Sequence, residues 1–577
     1  MKKNELSKTI REFRDRYFRF FPRKATFLGN HDYDDMLGKW NREGVREKIT
    51  FLEHYRDLVK DYLEIDALVV RNIIDSHLFH LKSIRPYLRP DFFVEEALDS
   101  IDTMIHLLEK TQDRETMARL VNALVSRVNG FPLLFEQARD WLTYNTPTSR
   151  NHALRMVAFF KEFLENHYRP YVHSLNLEND FREKLIGVIP FTMESLSRFA
   201  HFVRTLEVIP HHHPRLKRPR NFYRDLFGKK YMLDYTPDGL LEVASRRAAE
   251  LVADMKEISG NDPEGYYESL VKRNSLPYSE NGLNDRIMRY FKKTAKKYLE
   301  FCRSSRLVPA GEEPLIEWTP LYKRASSPLA AYIARGPYET LKNRGLFWIC
   351  PAREPLTRKE FEEQRAIYNR QMMNSMIIHE LVGHHLQLDR VPRLRREAFK
   401  FSGNLSFDEG FALYMEEVFA QEYAGELKDE QEASDMLFFQ KKAELMRVHR
   451  VYVDINLGTG RLSLDEAVRY FAERNALPPD TARIECEKYY LNPGVASSYF
   501  VGKLEIMKLR DELERKFKDR FSLSLFHRGL INYGSILWIH TYPPDQASNG
   551  GKTVQGRKRD HMRHETPQPQ GAKDTDP

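Results

Sequence analysis

Four ionisable side chains interrupt an apolar run at Met372–Asp389, MMNSMIIHELVGHHLQLD: His379, Glu380, His384 and His385. Around them Met373, Met376, Ile377 and Leu381 predict a buried helix. Imidazoles and a carboxylate are costly to bury unless something compensates them. A divalent metal does so, and zinc accepts both His nitrogen and carboxylate oxygen. Glu380, beside the first His, is the base that a zinc hydrolase requires, and a helix whose histidines were merely hydrogen-bonded in a core would have no use for it.

The spacing is HExxxH, one residue wider than the HExxH pattern in which two His share a helix face. On a regular α-helix, positions i and i+5 lie about 140° apart and would aim the two rings away from each other. One wider π-type turn brings them back together, and Gly383 is the expected place for it. His385, at i+6, is the competing ligand if the distortion differs.

A third ligand is expected from a second helix, Ser406–Ala424, SFDEGFALYMEEVFAQEYA. Glu409 is the candidate. The competing role is a capping box formed by Ser406 and Glu409, in which the carboxylate only satisfies the helix N-terminus. Glu416, two turns along the same face, is either a partner behind a ligand or a substitute ligand. One Zn2+ per chain is therefore expected on His379, His384 and Glu409.

The elements that must position these groups are mostly helices. Apolar residues recur at three- and four-residue spacing over Phe92–Leu108, Arg114–Val128, Leu241–Ile258 and Leu437–Val453, and the third of these stops at Gly260. Strand signals are few, the best being Gly345–Cys350 and the next Leu329–Ile333. Hydrophobic residues make up 41% of the 577 and charged residues 30%, enough for a large core and too much for global disorder. The expected class is mainly α: one large helical, zinc-peptidase-like body over 1–542, with a small β element beside the active-site cleft. A C-terminal tail, 543–577, rich in Gly, Pro, Gln and Lys, is expected to be disordered.

Cys302, Cys350 and Cys486 lie far apart, which excludes a disulfide scaffold and a cysteine-only zinc site and suits a reducing compartment. The charged start offers no secretory h-region, and no apolar stretch reaches the roughly 20 residues of a membrane span. A cytoplasmic protein without membrane contact is expected. Of the net charge of +8, most sits in Arg204–Lys230, with eight Lys/Arg against two Asp/Glu. A solvated surface loop is the expected reading, an anionic partner the alternative, and nucleic acid an improbable one.

HELVGHHLQ followed by DEGFALYMEE resembles the domain-of-unknown-function 885 family, whose members carry HExxPGHH and EGWALY. FFPRKATFLGNHDYDD (Phe20–Asp35) is similar to that family's opening motif, and YYLNPGVASSYFVG (Tyr489–Gly502), followed by FHRGLINYGSI, to its closing ones. This chain lacks the Pro before Gly383, so its spacing is one residue shorter and closer to the dipeptidyl peptidase III motif. Val495 and Phe500 stand where the family has Gln and Lys. The resemblance implies the site logic of gluzincin-type peptidases, with two His and one Glu as ligands. It also implies an oxyanion donor, Tyr499 first and Tyr490 second. The expected activity is hydrolysis of short peptides, with Glu380 as general base. A metal-dependent hydrolase of a non-peptide amide is one alternative, and a non-catalytic protein that uses the basic segment to hold a partner is another. Peptide recognition by strand addition to Gly345–Cys350 is a further expectation. Asp32, Asp34 and Asp35 are either structural or close to the cleft.

Overall fold

The computed structural model describes residues 2–534 except 310, 325–328, 342–343, 364 and 368, so the expected tail lies outside the described residues. The chain is mainly helical with small sheets, as its periodicity predicts. Helices cover Pro90–Lys110, Arg114–Asn129, Pro237–Ser259 and Glu430–Gly458, each containing the stretch expected from spacing. Thr146 and Ser463 each close a capping box, and Gly260 ends its helix at φ +67°. Among the described residues no helix is long and apolar enough to cross a membrane.

Two large apolar cores result. One gathers the helices from Leu6 to Leu206 and takes in Leu394–Phe401, while the other runs from Phe222 to Ile531 and holds the HELVGHH segment and the helix after it. Most residues of the helix Leu405–Ala424 are buried, with Gln421 and Glu422 exposed near its end, so its apolar residues spread around much of its circumference rather than along one stripe.

Strands are short. Tyr144–Asn145 (β1) pairs in parallel with Glu207–Val208 (β2). A second sheet contains Leu315–Trp318 (β3), Ala330–Ile333 (β4) and Leu346–Ile349 (β5) in the order β3-β5-β4, with β3 parallel and β4 antiparallel to β5. All four residues of β5 are buried and both of its edges are paired. Strand addition at Gly345–Cys350 is therefore excluded, since no backbone groups remain free there. The outer strands of the sheet are β3 and β4.

The turn after β4 carries the N-terminal motif. Leu28 accepts a hydrogen bond from Tyr338 N at 2.9 Å, and a Cβ on Gly29 (φ +83°) would lie 2.3 Å from Glu339 N. His31 bridges Asp34 (2.8 Å) and Glu339 (3.1 Å), and Asp34, buried, also meets Thr26 and Arg119. Asp34 is thus structural, while Asp32 and Asp35 are exposed. Burial lowers the His31 pKa, but the two carboxylates outweigh it and push it up to about 9. A raised His pKa contributes stability that is full below about 6.5 and is lost as pH rises through about 9. Stability against thermal unfolding should therefore fall between pH 7 and 9.5 by an amount on the order of 3 kcal/mol, and the His31→Gln variant should lack that slope. An equal slope in the variant would assign it elsewhere.

Candidate metal centre

The helix Arg370–Ile377 continues without a break into a π-helix, Ile378–His385. Its wider turn places the rings of His379 and His384 with centroids 4.8 Å apart and planes at 87°. Gly383 sits where the π-helix crosses the helix Leu405–Ala424, and a Cβ there would come within 2.6 Å of Ala412 Cα. The glycine thus permits the close packing of the two helices.

Glu409 faces both rings. Its Oε2 lies 3.3 Å from His379 Nε2 and 3.4 Å from His384 Nε2. It is a buried oxygen with no hydrogen-bond partner, as is His384 Nδ1 among ring nitrogens. Asn404 caps the helix, accepting from Ser406 N, so Glu409 is not engaged as a cap. Among the described residues, His379, His384 and Glu409 form the group whose ligand atoms converge, all within 4.8 Å of one another. His385 turns away, meeting Glu312 O at 2.6 Å and Asp389 at 3.2 Å.

Behind the group, Glu416 Oε1 is 2.8 Å from His379 Nδ1 and 3.2 Å from Arg447. A carboxylate only accepts, so the neutral His379 ring carries its proton on Nδ1 and presents a bare Nε2 to the centre. Burial would lower the His379 pKa, yet Glu409 and Glu416 together raise it to about 10. Burial would raise Glu409, and His384 and His379 instead hold it well below the usual carboxylate range.

Beside the histidines, Glu380 Oε2 accepts from Tyr332 N on the edge strand β4 at 2.7 Å. Burial raises its pKa above the ordinary Glu value, opposed by the two histidines. Tyr499 lies with its ring centroid 6.2 Å from that of His379 and its plane inclined by 17°, and Arg450 sits 5.3 Å above the tyrosine ring. Tyr490 is not brought to this centre. Its ring packs edge-on against His211 at 4.7 Å, beside Arg218.

Two features fix Tyr499. Asp454, buried on the helix Glu430–Gly458, accepts from Gly494 N and Ser497 N at 3.0 Å each and so caps the helix Val495–Phe517 from outside. Gly502, three residues beyond Tyr499, meets Gly410 backbone to backbone: a Cβ on Gly502 would fall 1.6 Å from Ser406 O. The same helices are pinned by buried Lys503, which pairs with Glu417 and, at 2.6 Å, with Glu444. Arg447, Arg450 and Asp454 escaped the sequence reading, although their spacing of three and four along an apolar helix marks one charged stripe. Tyr332 contributes a backbone group and left no side-chain signal at all.

The chain belongs to the family described as "Bacterial protein of unknown function (DUF885)", whose model matches residues 22–536. Among solved structures it is similar to a "putative lipoprotein of unknown function" from Shewanella oneidensis, with TM-score 0.70 and 15% identity over 92% of this chain and 97% of that one. It is also similar to a "putative lipoprotein" from Colwellia psychrerythraea, with TM-score 0.74 and 17% identity over 92% and 97% of the two chains. These likenesses are of fold. No curated protein sequence matches the chain.

Proposed function

We propose that the protein is a zinc-dependent hydrolase, one Zn2+ per chain, that cleaves peptide bonds in short peptides. The observation that carries this is the triad geometry. Ligands held about 2.0–2.1 Å from a tetrahedral ion sit roughly 3.4 Å from each other. Glu409 Oε2 stands at 3.3 and 3.4 Å from the two Nε2 atoms, too far for strong hydrogen bonds and right for a shared ion. The donor set of two imidazoles and one carboxylate leaves a fourth position free, as a catalytic rather than structural zinc site does.

When bound, zinc supplies Lewis acidity to the scissile carbonyl and makes the attacking water acidic. The chain's own groups do the rest. Glu380 takes the proton of the water and passes it to the leaving amine, with Tyr332 N–H holding the Oε2 atom in place. The Tyr499 hydroxyl serves as donor to the carbonyl oxygen as charge develops on it. Tyr332 offers its outward carbonyl on the edge strand to an extended peptide, giving main-chain recognition with little demand on sequence.

The test is metal content by plasma mass spectrometry after dialysis into metal-free buffer. About one zinc per chain is expected in the wild type and none in His379→Ala of unchanged circular dichroism. A metal-free wild type would end this reading. Glu416→Gln is expected to keep the fold and weaken zinc retention about 10–100-fold in chelator competition, because His379 loses its charged partner. Retention equal to wild type would remove Glu416 from the site.

A further inference from the structure

The basic segment noted in the sequence does more than coat the surface. Its residues Arg215, Lys217 and Arg218 meet Arg85, Arg89 and the turn Tyr490–Pro493 around a cavity of about 140 Å3. Five cationic side chains line it and no carboxylate does. Two of the five are neutralised from outside the cavity, Arg89 by Asp91 at 3.2 Å and Arg215 by Glu207 at 3.6 Å. Arg218 donates only to main-chain carbonyls, of Gly458 at 3.2 Å and Tyr490 at 3.3 Å, which orient it without cancelling its charge. Arg85 and Lys217 have no ion-pair partner among the described residues. Three uncompensated positive charges therefore converge on one cavity.

The helix Pro147–Asn166, 20 residues long and with no acidic residue in its first turn, begins at the same wall through Thr146 and Ser149. Its positive end adds to the field of the three side chains. Like charges gathered at one cavity repel one another, and an anion seated among them would relieve that repulsion. A cavity of about 140 Å3 suits one tetrahedral oxyanion with the first atoms of what bears it.

We propose that this cavity binds the phosphate group of a small phosphomonoester or free phosphate. Arg85 and Lys217 supply the outer contacts and Arg218 the inner one. This site is separate from the zinc reading and stands or falls independently of it.

The experiment is isothermal titration of the full chain with inorganic phosphate at constant ionic strength of about 0.15 M. Three proteins are compared: wild type, Arg85→Gln/Lys217→Gln, and Arg204→Gln/Arg220→Gln. The last loses the same charge from residues that do not line the cavity. Saturable one-to-one binding is expected in the wild type, weakened about tenfold or more in the first variant and less than about twofold in the second. Equal weakening in both would show diffuse electrostatics and overturn the site, as would the absence of saturable binding. Binding confined to an oligonucleotide or to anionic lipid vesicles, with none to phosphate, would also overturn it.

Discussion

Glu380→Gln should retain its zinc and lose turnover of short peptides by about 10²–10⁴-fold. The amide keeps the size of the side chain and can still accept from Tyr332 N–H, so position and packing survive. What is lost is proton affinity. The carboxylate lies beside the two histidines without being one of the converging ligand groups, which is why metal content and activity should separate in this variant. A glutamine variant that turns over substrate within about threefold of wild type would show that Glu380 is not the base. A variant that loses both metal and activity would assign it to ligation instead. The readout pairs zinc per chain with kcat/KM on a mixture of short peptides.

Among the described glycines, Gly502→Ala is expected to be the most damaging substitution. Its Cβ would fall 1.6 Å from the carbonyl oxygen of Ser406, a main-chain atom at the start of the helix that carries Glu409. Overpacking a core costs typically about 1–3 kcal/mol when side chains can step aside. Here the obstacle is a helix backbone, so the cost should exceed about 3 kcal/mol and force the two helices apart. Because Glu409 rides on one helix and Tyr499 on the other, zinc retention should fall with stability. Denaturant unfolding within about 0.5 kcal/mol of wild type would show that the close approach does not exist in solution.

The sequence carried the helices well, since Leu241–Ile258 and Leu437–Val453 announce themselves by spacing that only a buried face explains. It also carried the grouping of His379, His384 and Glu409, because five-residue spacing around a glycine has few structural solutions and the π-helix is one of them. The alternatives at Glu409 were open for a physical reason: Ser406-x-x-Glu409 has the composition of a capping box, and only the position of Asn404 shows that the helix starts earlier. Only the family resemblance ranked the tyrosines, with Tyr499 first; the residues themselves did not. Tyr490 and Tyr499 are nine residues apart, separated by the turn at Gly494 (φ +83°), and the sequence does not record how that turn directs each ring. Sheet order was the plainest failure. A buried apolar run such as Leu346–Ile349 reads equally well as an edge or a centre, and β3, which makes it a centre, showed no signal of its own.

Under the zinc proposal, the π-helix would tie the pitch of a backbone to the chemistry of an ion. Hydrogen bonds from i to i+5 and from i to i+4 place His384 on different faces, so the bonding register of Ile378–His385 and the grip on the proposed zinc would be two sides of one equilibrium. Whatever favours the tighter register must loosen the ion, and the ion must favour the wider register by the same free energy. On that proposal the helix would behave as a coil whose winding is set by its cargo. Amide exchange along these eight residues would then record metal loading even in a chain whose substrate is never found.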